Sequence, residues 1–190
     1  MMQRLMMLAL VALLPVLGGC VAAAVVAGGG AAAAVGFDRR TTGAYTDDET
    51  IEWKISLAVR EKYGDKVHVN VTSFNRIVLL TGEAPTEEIR TEIQKIAQGT
   101  ENVREIRNEI TIGTPTSIGT WSDDSYITSK VMANMLGNKD VNTYYVKVVT
   151  ENGIVYLMGM VTRKEAEAAA QVASTTTGVK KVVKVFEYID

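Results

Sequence analysis

Cysteine and histidine are nearly missing from this chain: each occurs once in 190 residues, as Cys20 and His68. A lone cysteine closes no intrachain disulfide, so cross-links contribute nothing to folding. With one histidine, no Ser/His/Asp constellation can be assembled around a base chosen from several. His68 alternates with valines in a strand pattern and has no cysteine or acidic residue at metal-ligand spacing. It is therefore expected on the solvent side of a strand, with no metal site and no cofactor. An excess of one charge is also lacking: 20 basic and 22 acidic residues leave −2, so no basic field draws the chain to nucleic acid. Aromatics amount to 6%, and the 47% apolar fraction is inflated by the first 36 residues. Gly28-Gly29-Gly30 lacks the strand, lysine and helix of a phosphate-binding loop.

What is present begins with a basic residue, Arg4, and an uncharged apolar run from Leu5 to Leu17. That run is too short to cross a bilayer as a helix, which takes about 20 residues, and it reads as the core of a secretory signal. Leu17-Gly18-Gly19-Cys20 follows, and it resembles the lipobox of bacterial lipoproteins. The resemblance implies a signal peptide over 1–19 and Cys20 as the lipidated, palmitate-bearing first residue of the mature protein. A thiol enzyme is then excluded, because its thiol would be acylated. Val21 stands where lipoproteins kept in the inner membrane usually carry Asp, which implies the outer membrane, periplasmic face. Residues 20–45 read as a tether: Val21 to Gly36 is alanine, valine and glycine only, and its triple glycine argues against a spanning helix. Arg39 and Arg40 at its end are candidates for contact with anionic headgroups.

From residue 46 the chain repeats. Asp47-Asp48 matches Asp123-Asp124 and Ile51 matches Ile127 at a spacing of 76; Thr81-Gly82 matches Met158-Gly159 at 77; Val103 and Ile106 match Val179 and Val182 at 76. One-residue drifts at loops fit a duplicated domain, with copies at 46–115 and 116–190. In each copy an acidic pair is expected to cap a first helix, whose core face is Ile51, Ile55, Ala58 and Val59, or Ile127, Val131, Met135 and Leu136. Two strands follow, Val67, Val69 and Val71 facing one way and Ile77 to Leu80 returning. In the second copy Tyr144, Val146 and Val148 pair with Ile154 to Leu157 across Asn152-Gly153, which supplies positive φ. Gly82 and Gly159 end the second strands as structural glycines, needed for a turn or for close helix packing. Second helices start near Thr86 and Thr162, and last strands run over 103–112 and 180–189. The fold class is α+β: two tandem αββαβ units, each a three-stranded mixed sheet with two helices on one face. Such small units have marginal cores alone, so the copies are expected to pack together and leave only one first helix free.

The strand–glycine–helix segments Ile77-Val78-Leu79-Leu80-Thr81-Gly82 and Val155-Tyr156-Leu157-Met158-Gly159-Met160-Val161-Thr162 resemble the BON domain. A lipobox followed by two such units is similar to the dual BON-domain outer-membrane lipoproteins. Tyr126-Ile127-Thr128-Ser129-Lys130-Val131 and Thr150-Glu151-Asn152-Gly153 are close to that family's text. The resemblance implies binding, not catalysis. The expected partners are anionic phospholipids, phosphatidylglycerol or cardiolipin, contacted by the first helix of the second domain in support of envelope integrity and septal functions. The residues implied are Tyr126, Ile127, Lys130, Val131, Ala133 and Asn134, with Trp121 just before them as a further anchor. Tyrosine stands at 126 where the family has tryptophan. The domain charges point the same way: 9 basic and 13 acidic residues over 46–115, against 8 and 8 over 116–190. Lys180, Lys181 and Lys184 read either as an addition to a lipid face or as solvated charges. The alternative that stays open is a periplasmic scaffold for outer-membrane assembly, peptidoglycan-remodelling or division proteins without direct lipid readout, with Tyr126 and Trp121 packed between the domains.

Overall fold

A computed structural model describes residues 38–114 and 118–190, the side chains of 118–121 excepted. The signal peptide, Cys20, the body of the tether and the Trp121 side chain lie outside the described residues. The elements run α1 (Thr42–Tyr63), β1 (His68–Phe74), β2 (Ile77–Ala84), α2 (Glu87–Gln98), β3 (Glu105–Asn108), β4 (Thr111–Ile112), α3 (Ile118–Leu136), β5 (Val146–Glu151), β6 (Ile154–Val161), α4 (Arg163–Ser174) and β7 (Lys181–Tyr188). Each repeat is a mixed sheet. β1 and β5 pair antiparallel with β2 and β6, while β3, β4 and β7 pair parallel with the same central strands after a helical crossover.

Three cores hold the protein. Ile51, Ile55 and Val59 of α1 and Ile93 and Ala97 of α2 cover Val78 and Leu80. Ile127, Val131 and Met135 of α3 and Ala166, Ala169 and Ala173 of α4 cover Val155 and Leu157. The alternate residues of the central strands, Ile77, Leu79, Tyr156 and Met158, meet with Phe74 and Val185 in a core between the two sheets. β2 is consequently buried along its whole length, helices on one face and the partner sheet on the other. Helices form the outer layers and sheets the inner ones. Both first helices are therefore outward, and the expectation that packing hides one of them is corrected: Trp53 and Tyr126 are each 65% exposed.

The acidic pairs do something other than capping. α1 starts at Thr42, inside the stretch read as tether, capped by Thr41 Oγ1 accepting from the Ala44 amide at 3.1 Å. Asp48 lies a turn and a half further in and is buried. Its carboxylate accepts from the amides of Asn75 (2.8 Å) and Arg76 (2.7 Å) and from Ser73 Oγ (2.7 Å). Asp124 likewise accepts from the amides of Asn152 and Gly153, each at 2.7 Å. Each aspartate thus reaches from the first helix to hold the hairpin turn of its own sheet, whose residues sit at φ 50° and 64° (Asn75, Arg76) and 53° and 77° (Asn152, Gly153). The Asn-Gly expectation is met, and the charged acceptor stabilises the turn of the first repeat, which carries an arginine in place of glycine.

The glycines are corrected too. They lie inside the second strands, and a Cβ on Gly82 or Gly159 would come 2.0 Å from His68 O or 2.1 Å from Tyr145 O, the backbone of the neighbouring strand rather than a helix. Gly82 also has φ +108°, while Gly159 is not in the left-handed region. The difference shows in the third strand: the ladder beside Gly82 breaks into β3 and β4 with Ile110 turned into the core, whereas β7 passes Gly159 unbroken. Tyr144, expected in the strand with Val146 and Val148, is exposed in a 3-10 turn before it, and Tyr145 packs against the core. Leu136, expected on the core face of α3, is exposed as well.

Arg39 and Arg40 are structural. Arg39 forks onto both oxygens of Glu165 at 2.8 Å, donates to Met160 O at 2.9 Å, and stacks 3.8 Å over Tyr145. Arg40 pairs with Asp48 at 2.9 Å and stacks 4.0 Å over Phe74. They tie the start of the domain to both sheets, and neither is the headgroup contact suggested by the sequence.

Candidate functional site

α3 lies on the outer surface of the second repeat because its buried stripe, Ile127, Val131 and Met135, recurs every four residues and is committed to the sheet. Val131 is fully buried and Ile127 nearly so, which corrects their expected lipid contact: they carry the helix and do not face outward. Tyr126, Ser129, Met132, Ala133, Asn134 and Leu136 are exposed. Among the described side chains of α3 the charged ones are Asp123, Asp124 and Lys130, and Asp124 is consumed by the turn. Asp123, in the second turn, is exposed, and from Tyr126 to Leu136 the helix carries no acid. α1 differs: Glu49, Lys54, Arg60, Glu61 and Lys62 are all exposed on it.

Lys130 Nζ lies 4.7 Å from the Tyr126 ring centroid, a cation–π contact that holds both at one spot. Beside them a shallow cavity of about 310 Å³ is bounded by Asp123, Asp124, Tyr126, Lys130, Gly178 and Lys180. Gly178 has φ +102°, and a Cβ there would touch Ile127 at 3.1 Å and come within 3.9 Å of Lys130 Nζ. Lys180 Nζ donates to Asn152 O at 3.0 Å. Two ammonium groups and a phenol ring therefore share one depression with the carboxylates of Asp123 and Asp124, the latter bonded to the Asn152 and Gly153 amides. Of the three lysines expected on the last strand, Lys180 precedes β7 and joins this site, and Lys184 pairs with Glu167 at 2.8 Å. Asn134 is turned aside, donating to Thr176 Oγ1 at 2.9 Å.

His68 is where sequence reasoning went astray. It sits opposite Glu83 in the β1–β2 register, and Glu151 approaches from the second repeat. His68 Nδ1 is 3.0 Å from Glu83 Oε2 and 3.9 Å from Glu151 Oε1. Acidic partners are present, brought by cross-strand pairing and by the contact between repeats, neither of which leaves a local spacing to read.

Residues 47–114 and 123–190 each match the BON domain. The chain belongs to the BON-domain family, as a member with two copies. It is 44% identical over 158 residues, 82% of each chain, to the outer membrane lipoprotein DolP of Haemophilus influenzae. It is 39% identical to the 21 kDa hemolysin of Actinobacillus pleuropneumoniae, over 80% of this chain and 79% of the other. To the osmotically-inducible protein Y of Escherichia coli it is 27% identical, over 74% and 72%.

Proposed function

We propose that the protein is a non-catalytic lipoprotein of the outer membrane, anchored through Cys20 on the periplasmic face, whose α3 face docks on anionic phospholipid. Phosphatidylglycerol and cardiolipin are the lipids in view, and support of envelope integrity and septal functions is the role that goes with them. The observation that carries this reading is the asymmetry of the two outward helices: α3 presents Tyr126, Lys130 and Leu136 with no acid from Tyr126 onward, Asp123 being exposed just before them, while α1 carries Glu49, Lys54, Arg60, Glu61 and Lys62 along its exposed surface. A tyrosine belongs at headgroup depth, and a lysine one turn on pairs with phosphate. Among the described residues no helix is long and apolar enough to cross a membrane. The name of the Haemophilus relative supports the location.

The test is an NMR titration of residues 39–190 with phosphatidylglycerol-containing micelles beside zwitterionic ones. Shifts confined to 125–136 and 178–180, with the anionic lipid alone, are expected, together with their loss in Lys130→Glu. Unchanged spectra with both lipids would sink the proposal. Trp53 and Leu57, exposed one turn apart on α1, favour the second reading, a protein-binding scaffold, and shifts there on adding envelope proteins would support it.

A further inference from the structure

Between the two sheets, three ligating side chains converge from three strands. His68 opens β1, Glu83 stands across from it in β2, and Glu151 ends β5 of the other repeat. The distances from His68 Nδ1, 3.0 Å to Glu83 Oε2 and 3.9 Å to Glu151 Oε1, bracket the separation of about 3.3 Å between donors on a tetrahedral zinc ion with bonds of about 2.0–2.1 Å.

The carboxylates are held for such a geometry. Asn152 Nδ2 donates to Glu83 Oε1 at 2.6 Å. Asn70 Nδ2 and Thr81 Oγ1 donate to Glu151 Oε2 at 2.8 and 3.2 Å. In each glutamate one oxygen is engaged by an amide or hydroxyl, and the other is the one nearer the imidazole. Outer partners of this kind orient metal ligands and fix their basicity. Asn152 and Glu151 come from one repeat, and Glu83, Asn70 and Thr81 from the other, so the site exists only because the repeats pack.

Charge supplies the driving force. Glu83 is 4% exposed and Glu151 6%. A single imidazolium brings one charge against two carboxylates in this desolvated space. A dication with neutral imidazole and two carboxylates sums to zero.

We propose that His68, Glu83 and Glu151 bind one divalent first-row transition metal ion, zinc being the probe, which clamps the two repeats together. An imidazole and only three protein ligands favour such an ion over calcium or magnesium, which take six or more ligands, nearly all oxygen. The His68 side chain is 31% exposed, which gives an ion a route in and leaves room for a water as fourth ligand.

The test uses the full-length lipoprotein in detergent, untagged and stripped with EDTA. Zinc chloride is titrated by calorimetry, and bound zinc is counted after dialysis. One zinc per chain is expected, with a raised melting temperature and no displacement by excess magnesium. Glu151→Gln keeps the volume and the hydrogen bonds of its partners, and is expected to abolish retention. Asn70→Ala, which removes the shorter of the two hydrogen bonds that orient the Glu151 carboxylate, is expected to weaken affinity roughly ten- to hundredfold. Because His68 is the only histidine, its ring nitrogen signals report on the site in the unsubstituted protein even if a variant fails to fold. A zinc-dependent shift of Nδ1 is expected. No zinc retained, an unmoved His68 signal, or equal affinity in Glu151→Gln would each overturn the proposal.

Discussion

The carboxylate of Asp124 accepts a hydrogen bond from the backbone amide of Gly153 at 2.7 Å, from 29 residues away. Asp48 does the same for Arg76 in the first repeat. A buried carboxylate receiving two turn amides is held by charge-assisted bonds, and its removal strands donors that water reaches poorly. Asp124→Ala should cost about 3 kcal/mol in urea denaturation and Asp124→Asn less, with faster hydrogen exchange at Asn152 and Gly153. A loss under about 0.5 kcal/mol, the scale of an ordinary surface change, would show that the clamp is dispensable.

Gly159→Ala should destabilise by at least about 2 kcal/mol, since its Cβ meets Tyr145 O at 2.1 Å and backbone must move. Gly82→Ala adds a left-handed φ to the same clash. Gly113, with nothing within 4 Å of an added Cβ, is the control, and Gly113→Ala should leave the melting temperature unchanged.

The shared core predicts cooperative unfolding. Met158 of β6 is fully buried against residues of the other sheet, so Met158→Ala should cost about 2–5 kcal/mol. Fluorescence from Trp53 and exchange at α4 amides should report one midpoint. Two separated transitions would mean that the repeats are independent.

Arg39 and the α4 amide-terminal turn hold the Glu165 carboxyl down to about 2, the Arg39 hydrogen bond being the largest cause. A depressed carboxyl stabilises the fold above its ordinary value of 4.5 and loses that contribution as pH falls toward about 2. Acid unfolding in this window should be shallower in Arg39→Gln than in the unsubstituted protein. Equal slopes would remove Glu165 from the account.

Tyr126 is exposed, so substitutions there should alter stability by less than about 0.5 kcal/mol and membrane partition much more. Tyr126→Trp should tighten binding to phosphatidylglycerol vesicles, and Tyr126→Ala should weaken it severalfold. Trp53→Ala, on the charged helix, should leave it unchanged. Equal losses at both positions would contradict a docking face confined to α3.

The sequence alone determined the duplicated αββαβ order, the caps at Thr86 and Thr162, and the Asn152-Gly153 turn, because periodicity, capping and turn chemistry act within a few residues of themselves. It also placed Tyr126 and Lys130 on one helix face, a consequence of 3.6 residues per turn. Tertiary structure decided the rest. Asp48 and Asp124 look like caps until the turns of the second strands come back to them from about 28 residues on. Lys180 joins Lys130 only through the parallel return of β7 beside β6. His68 looked solvated because its acids lie 15 and 83 residues further along the chain, brought in by register and by the packing of one repeat on the other. Contacts of that range depend on how strands align and sheets stack, and no local spacing encodes them.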